Sequence, residues 1–120
     1  RSFGDFVYKQ AHDLPPQKQA VSVEPDIKIT DRRAGDEFLI FACDGIWDVM
    51  SNQQCCDYIR GQMADGEHDI GAICESLIMQ CLDLGSKDNM SVVLVVFADA
   101  KFGPKREKKA VVVDEKMDDQ

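Results

Sequence analysis

Two aspartates flank the two most apolar runs of the chain. Asp44 follows directly on Phe38–Cys43 (FLIFAC), and Asp88 stands three residues before Ser91–Phe97 (SVVLVVF). If these runs are antiparallel neighbours in a sheet, the end of one lies beside the start of the other. Both carboxylates then emerge at one sheet edge. In a parallel pair, the rise of about 3.3 Å per residue would hold them roughly 20 Å apart. The spacing leaves both arrangements open. Converging carboxylates suit a hard cation such as Mg²⁺ or Mn²⁺, which takes oxygen ligands and keeps water. Gly45 would let the chain turn sharply beside such an ion. The competing account is structural, because Asp at a strand exit and Asp-Asn in a turn are common cappers and turn formers. Asp48 reads as a surface or capping residue in a short helical turn over 46–50. Trp47, with Ile46 and Val49, reads as core packing.

The elements that must position these groups follow from periodicity. Residues 1–20 contain the turn-prone Leu14-Pro15-Pro16 and read as loop, with a short element at Phe6 to Tyr8. Ile27-Lys28-Ile29-Thr30 alternates with period two and predicts a strand over residues 27–32. Arg33-Ala34-Gly35-Asp36 is a turn, so a hairpin with 38–43 is expected. The unbroken apolarity of 38–43 predicts a strand buried on both faces, and the strongly β-branched 91–97 predicts a third, buried strand. Ser51 and Gln54 have the spacing of a capping box. Cys55, Cys56, Ile59 and Met63 then share one helical face, and Asp65-Gly66 ends that helix. Asp69 caps a second helix, whose stripe is Ile70, Ile73, Cys74, Leu77, Ile78, Cys81 and Leu82, closed by Gly85. Strands with two packed helices define an α+β class.

Composition narrows the function. The chain has 120 residues, 22 acidic and 14 basic, for a net charge of -8. Residues 1–100 carry 8 basic against 17 acidic residues, whereas 101–120 carry 6 basic and 5 acidic. An acidic body argues against nucleic-acid binding, which needs clustered Lys and Arg. The longest apolar run, Val92 to Ala98, is far below the roughly 20 residues of a membrane span. The five cysteines include the adjacent Cys55 and Cys56, form no C-x-x-C pair, and stand with two isolated histidines, His12 and His68. They read as reduced core thiols of a cytoplasmic or nuclear protein rather than as disulfides or a zinc site. The segment 101–120 reads as a charged, flexible tail. Its KREKK cluster is a solvated charge run, with nuclear import or an anionic partner as the alternative.

FLIFACDGIWDVM (38–50) and GSKDNMSV (85–92) resemble two signature motifs of the metal-dependent protein phosphatase 2C (PPM) family of serine/threonine phosphatases. The opening RSFGDF is similar to the end of a third motif, and LPPQKQAVSVEPDI also matches, so the likeness covers about residues 1–98. The resemblance implies a four-layer α-β-β-α sandwich with two antiparallel sheets, of which this chain would be a part that is incomplete on the N-terminal side. It also implies that Asp44 and Asp88 are ligands of a dinuclear Mg²⁺ or Mn²⁺ centre. In the family that centre acidifies a bridging water, which attacks phosphorus in phosphoserine or phosphothreonine proteins. Arg1, Gly4, Asp5 and Asn89 match motif positions, with structural or ligand-supporting roles implied.

The family's Asp-Gly-His motif has no counterpart here, since neither Asp44-Gly45 nor Asp65-Gly66 is followed by His. An upstream acidic pair and a phosphate-gripping arginine are also without a match. The expectation is therefore the C-terminal portion of a catalytic domain over 1–100, inactive alone, that pairs with the missing N-terminal half or self-associates. Two other readings compete with it: a non-catalytic module such as a pseudophosphatase, and a small carboxylate metal-binding protein.

Overall fold

The computed structural model describes residues 1–107, which fall into two compact units, one of residues 1–32 and a second beginning at Arg33. In the first unit most of the backbone lacks a regular ladder, and side chains hold it instead. Short 3₁₀ turns form at Phe6–Tyr8 and Pro16–Lys18, the latter opened by a proline whose fixed φ suits that position. The Gln19 amide donates to the carbonyls of Ala11 (2.7 Å) and Leu14 (2.8 Å) and accepts from the Ala11 N–H (3.2 Å). The Ser2 N–H donates to the Ser22 carbonyl (3.0 Å), and Arg1 pairs with Asp26 (2.8 Å).

The strand expected over 27–32 is absent, and with it the hairpin. Its alternation is real, but Ile27 and Ile29 are 81% and 90% exposed. An alternating strand is stable only when a neighbour completes its ladder and something covers its apolar side. The expected turn does form: the Asp36 N–H reaches the Arg33 carbonyl, the Asp36 carboxylate accepts from the Arg33 N–H, and Gly35 takes φ +90°.

The second unit holds β1 (Phe38–Ala42), α1 (Asp44–Trp47), α2 (Asn52–Ala64), α3 (Ile70–Asp83) and β2 (Val92–Val96). The two strands pair antiparallel, with Phe38 opposite Val96 and Ala42 opposite Val92. Helix α2 begins with the anticipated capping box. Ser51 Oγ accepts from the Gln54 N–H (3.1 Å), and Gln54 Oε1 accepts from the Ser51 N–H (2.9 Å). Asp69 caps α3 through the Ala72 N–H (3.2 Å). At the other end of α3, Gly85 takes φ +94°. The Gly85 N–H donates to Leu82 and the Ser86 N–H to Cys81, the paired closure that a left-handed glycine permits.

The core is built from Ile46, Met50, Cys55, Ile59, Met63, Ile73, Leu77 and Cys81. Phe38, Ile40, Ala42, Val92, Leu94 and Val96 pack on it from the sheet. Ile70 and Leu82 sit at the margins of the α3 stripe, both partly exposed. Burial of both strand faces does not hold within this chain. Leu39 (47%), Phe41 (57%), Val93 (58%) and Val95 (41%) are exposed, because the helices cover only one side of the sheet.

The segment after β2 crosses the α2–α3 turn. The Gly103 N–H donates to Met63 (2.9 Å) and the Arg106 N–H to Gly66 (3.0 Å), while His68 meets the Gly103 carbonyl (2.8 Å) and the Phe102 ring. The expected charged tail is thus tied down as far as Arg106, and its remainder from residue 108 lies outside the described residues. Among the described residues no helix is long and apolar enough to cross a membrane.

Candidate metal centre

The site forms where the sheet ends. Beyond the last paired residues, Ala42 and Val92, the Cys43 N–H still reaches the Ser91 carbonyl (3.3 Å). Asp44 is the first residue of α1, and Asp88 lies in the loop that leads from α3 into β2. The antiparallel pairing brings both to one edge, the arrangement that the spacing left open and the family resemblance implied. Asp48 joins them: one carboxylate oxygen from each of Asp44, Asp48 and Asp88 lies within 4.8 Å of the others, and all three residues are exposed. Asp48 sits at the α1 C-cap, a surface and cap position as expected, but with a further neighbour relation. Its signal was available in the sequence, since residues four apart on a helical turn share a face.

Several contacts hold the two aspartate loops together. The Cys43 thiol donates to the Asn89 carbonyl (3.2 Å), and its sulfur accepts from the Ser91 N–H (3.2 Å). Ser86 Oγ donates to the Gly45 carbonyl (2.7 Å). The Asn89 N–H donates to Asp88 Oδ1 (2.7 Å), which orients that carboxylate. Gly45 is needed for a reason other than a sharp turn, since its φ is not positive. A Cβ there would collide with the Asn89 carbonyl and come within 2.9 Å of Met90 Cγ, so glycine permits the loops to approach.

Trp47 is not a core residue. It is 36% exposed and donates its indole N–H to the Ala42 carbonyl (3.2 Å), whereas Ile46 is fully buried and Val49 packs on the core. An indole with a polar tip is well placed at such a margin.

The donor set is all oxygen and all anionic, and among the described residues no Lys or Arg pairs with these three carboxylates. Such a cluster fits a hard divalent cation and offers nothing to a soft one. The site thus defines an α+β protein whose sheet edge presents converging carboxylates. The family model of protein phosphatase 2C matches residues 1–90, and the chain belongs to that family. It is 42% identical to protein phosphatase 1A of Bos taurus over 119 residues, 98% of this chain and 30% of that protein. It is 41% identical to protein phosphatase 1A of Homo sapiens (98% and 31%) and 42% identical to human protein phosphatase 1B (98% and 24%). The chain therefore spans about a quarter to a third of the length of these relatives.

Proposed function

We propose that this chain is the metal-binding portion of a protein serine/threonine phosphatase, and that Asp44 and Asp88 are ligands to Mg²⁺ or Mn²⁺. The convergence of Asp44, Asp48 and Asp88 at the sheet edge, in a chain of this family, carries the reading. Asp44 and Asp88 supply charge from two segments held in register by the sheet, and Asp48 adds a third carboxylate. The Asn89 N–H keeps Asp88 Oδ1 in place, which reduces the side-chain freedom to be lost on binding a cation. When bound, the ions supply a Lewis acid that lowers the pKa of water and offsets charge on phosphoryl oxygens. The substrates are phosphoserine and phosphothreonine proteins. Three carboxylates are too few for a dinuclear centre, so the chain alone is inactive and the complete four-layer sandwich supplies the rest. The free thiols suit a reducing compartment, cytoplasm or nucleus.

The test is a chimaera in which this chain replaces its aligned segment in human protein phosphatase 1A, assayed on p-nitrophenyl phosphate and a phosphothreonine peptide with Mn²⁺. The chimaera should turn over both substrates, and Asp44→Asn or Asp88→Asn should reduce kcat/KM by about 100-fold or more. A folded, active chimaera that keeps its rate with both substitutions would overturn the ligand assignment. Robust turnover by the 120-residue chain alone would overturn its inactivity.

A further inference from the structure

Asp44 and Asp88 belong to segments 44 positions apart, and the sheet ladder stops short of both. What sets their separation is therefore a question of the loops. The sulfur of Cys43 bonds to backbone at Asn89 and Ser91, which aligns the strand ends. Among the described residues, one side-chain hydrogen bond from the loops reaches α1 itself. Ser86 Oγ donates to the carbonyl of Gly45, the residue after Asp44.

Both ends of that bond are anchored. Ser86 lies directly after the glycine that closes α3, and its own N–H is spent on the Cys81 carbonyl. Cys81 is fully buried in the core, so the Ser86 backbone is tied to the packed core. On the acceptor side, Gly45 is buried, and Ile46 behind it is a core residue with no exposure. A buried carbonyl without a partner is costly, so α1 has reason to keep this contact. The hydroxyl thus links the closing turn of α3, two residues before Asp88, to the first turn of α1, one residue after Asp44.

We propose that Ser86 is a positioning residue of the carboxylate cluster: its hydroxyl holds the Asp44 turn at the distance from Asp88 that a shared cation requires. This inference rests on the metal reading above. Ser86 itself is not a ligand. It acts through Gly45 and the α1 backbone, as outer partners do when they orient the groups that touch a metal.

The test is Mn²⁺ binding by the 120-residue chain, followed by loss of the free-ion electron paramagnetic resonance signal, with apo-protein circular dichroism melts in parallel. Wild type should bind, and Ser86→Ala should weaken binding by about tenfold with the helical spectrum retained. Ser86→Thr, which keeps the hydroxyl, should return the affinity to the wild-type value. Ser86→Cys, of similar size but a weaker donor, should fall between, and it serves as the second variant if Ser86→Ala does not fold. Wild-type affinity in Ser86→Ala or Ser86→Cys, with Asp44→Asn abolishing binding, overturns the positioning role and leaves the metal reading standing. Folded Ser86→Thr as weak as Ser86→Ala also overturns it, because the hydroxyl is then not the cause. Absence of Mn²⁺ binding by wild type overturns both.

Discussion

Individual side chains at this site are governed by how closely two backbones approach. Gly45 is the most constrained of them: any Cβ meets the Asn89 carbonyl, which belongs to the loop carrying Asp88. Gly45→Ala should therefore lower stability by about 1–3 kcal/mol, measured by chemical denaturation, since an overpacked contact against backbone has little room to relax. The cysteines behave differently according to burial. Burial pushes the Cys55 thiol from its usual 9.0 up to about 11, with the neighbouring Cys56 and Cys81 sulfurs adding to the effect. Burial raises Cys81 and Cys74 as well. Thiolate is the reactive form, so these three should be slow towards iodoacetamide at pH 8 in the folded chain and fast once it is unfolded. The same shift has a consequence for stability. The unfolded Cys55 thiol releases its proton near pH 9, whereas the folded one keeps it to about 11. Its contribution is complete below pH 9 and is lost as pH rises through about 11. Melting temperature should fall over that window, and Cys55→Ala should make the fall shallower.

At the scale of elements, both long helices carry their start signals in a few neighbouring residues. The capping box at Ser51 and Gln54 and the Asp69 cap form as spaced, because each needs only the geometry of one turn. Ser51→Ala should cost about 1 kcal/mol in a denaturant titration, and Ser51→Asp should recover most of that loss. The strands show the contrary case. The residues at 27–32 alternate as a strand does, but their apolar side has no cover and no ladder partner, and no strand forms. β1 pairs with β2 instead, in contact across fifty or more positions. The segment from Phe102 to Arg106 depends equally on non-local fit. It docks where Gly66 and Gly103 let backbone approach backbone, with Cβ atoms at either position excluded by Pro104 and Ala64 carbonyls. Truncation after Ala100 should therefore lower the melting temperature measurably, since Phe102 leaves the core margin and the α2–α3 turn loses its partners.

At the scale of the molecule, the dominant feature is a two-stranded sheet that is covered on one side. Leu39 and Val95 face each other across the strands, as do Phe41 and Val93, and all four are exposed on the bare side. An exposed apolar patch of this kind favours association. Phe41→Lys with Val93→Thr should reduce dye binding and concentration-dependent light scattering by the isolated chain. In the chimaera with the relative's remaining sequence, the same pair should instead lower stability in a denaturant titration. By itself the sequence determined what acts over a few residues: the two helices with their caps and stripes, the two apolar strands, the α+β class, and Asp44 and Asp88 as the carboxylates at the strand ends. It also carried the motifs by which the family was legible. Spacing left the strand direction open, and only the family motifs pointed to an antiparallel pair; tertiary structure decided that Asp44 and Asp48 together meet Asp88, that Ser86 reaches Gly45, and that one side of the sheet stays bare. The physical reason is range. A cap or a helical stripe is set by backbone geometry within four or five residues, whereas strand direction and loop contact depend on groups more than forty positions apart, whose meeting is settled by what the whole core can bury.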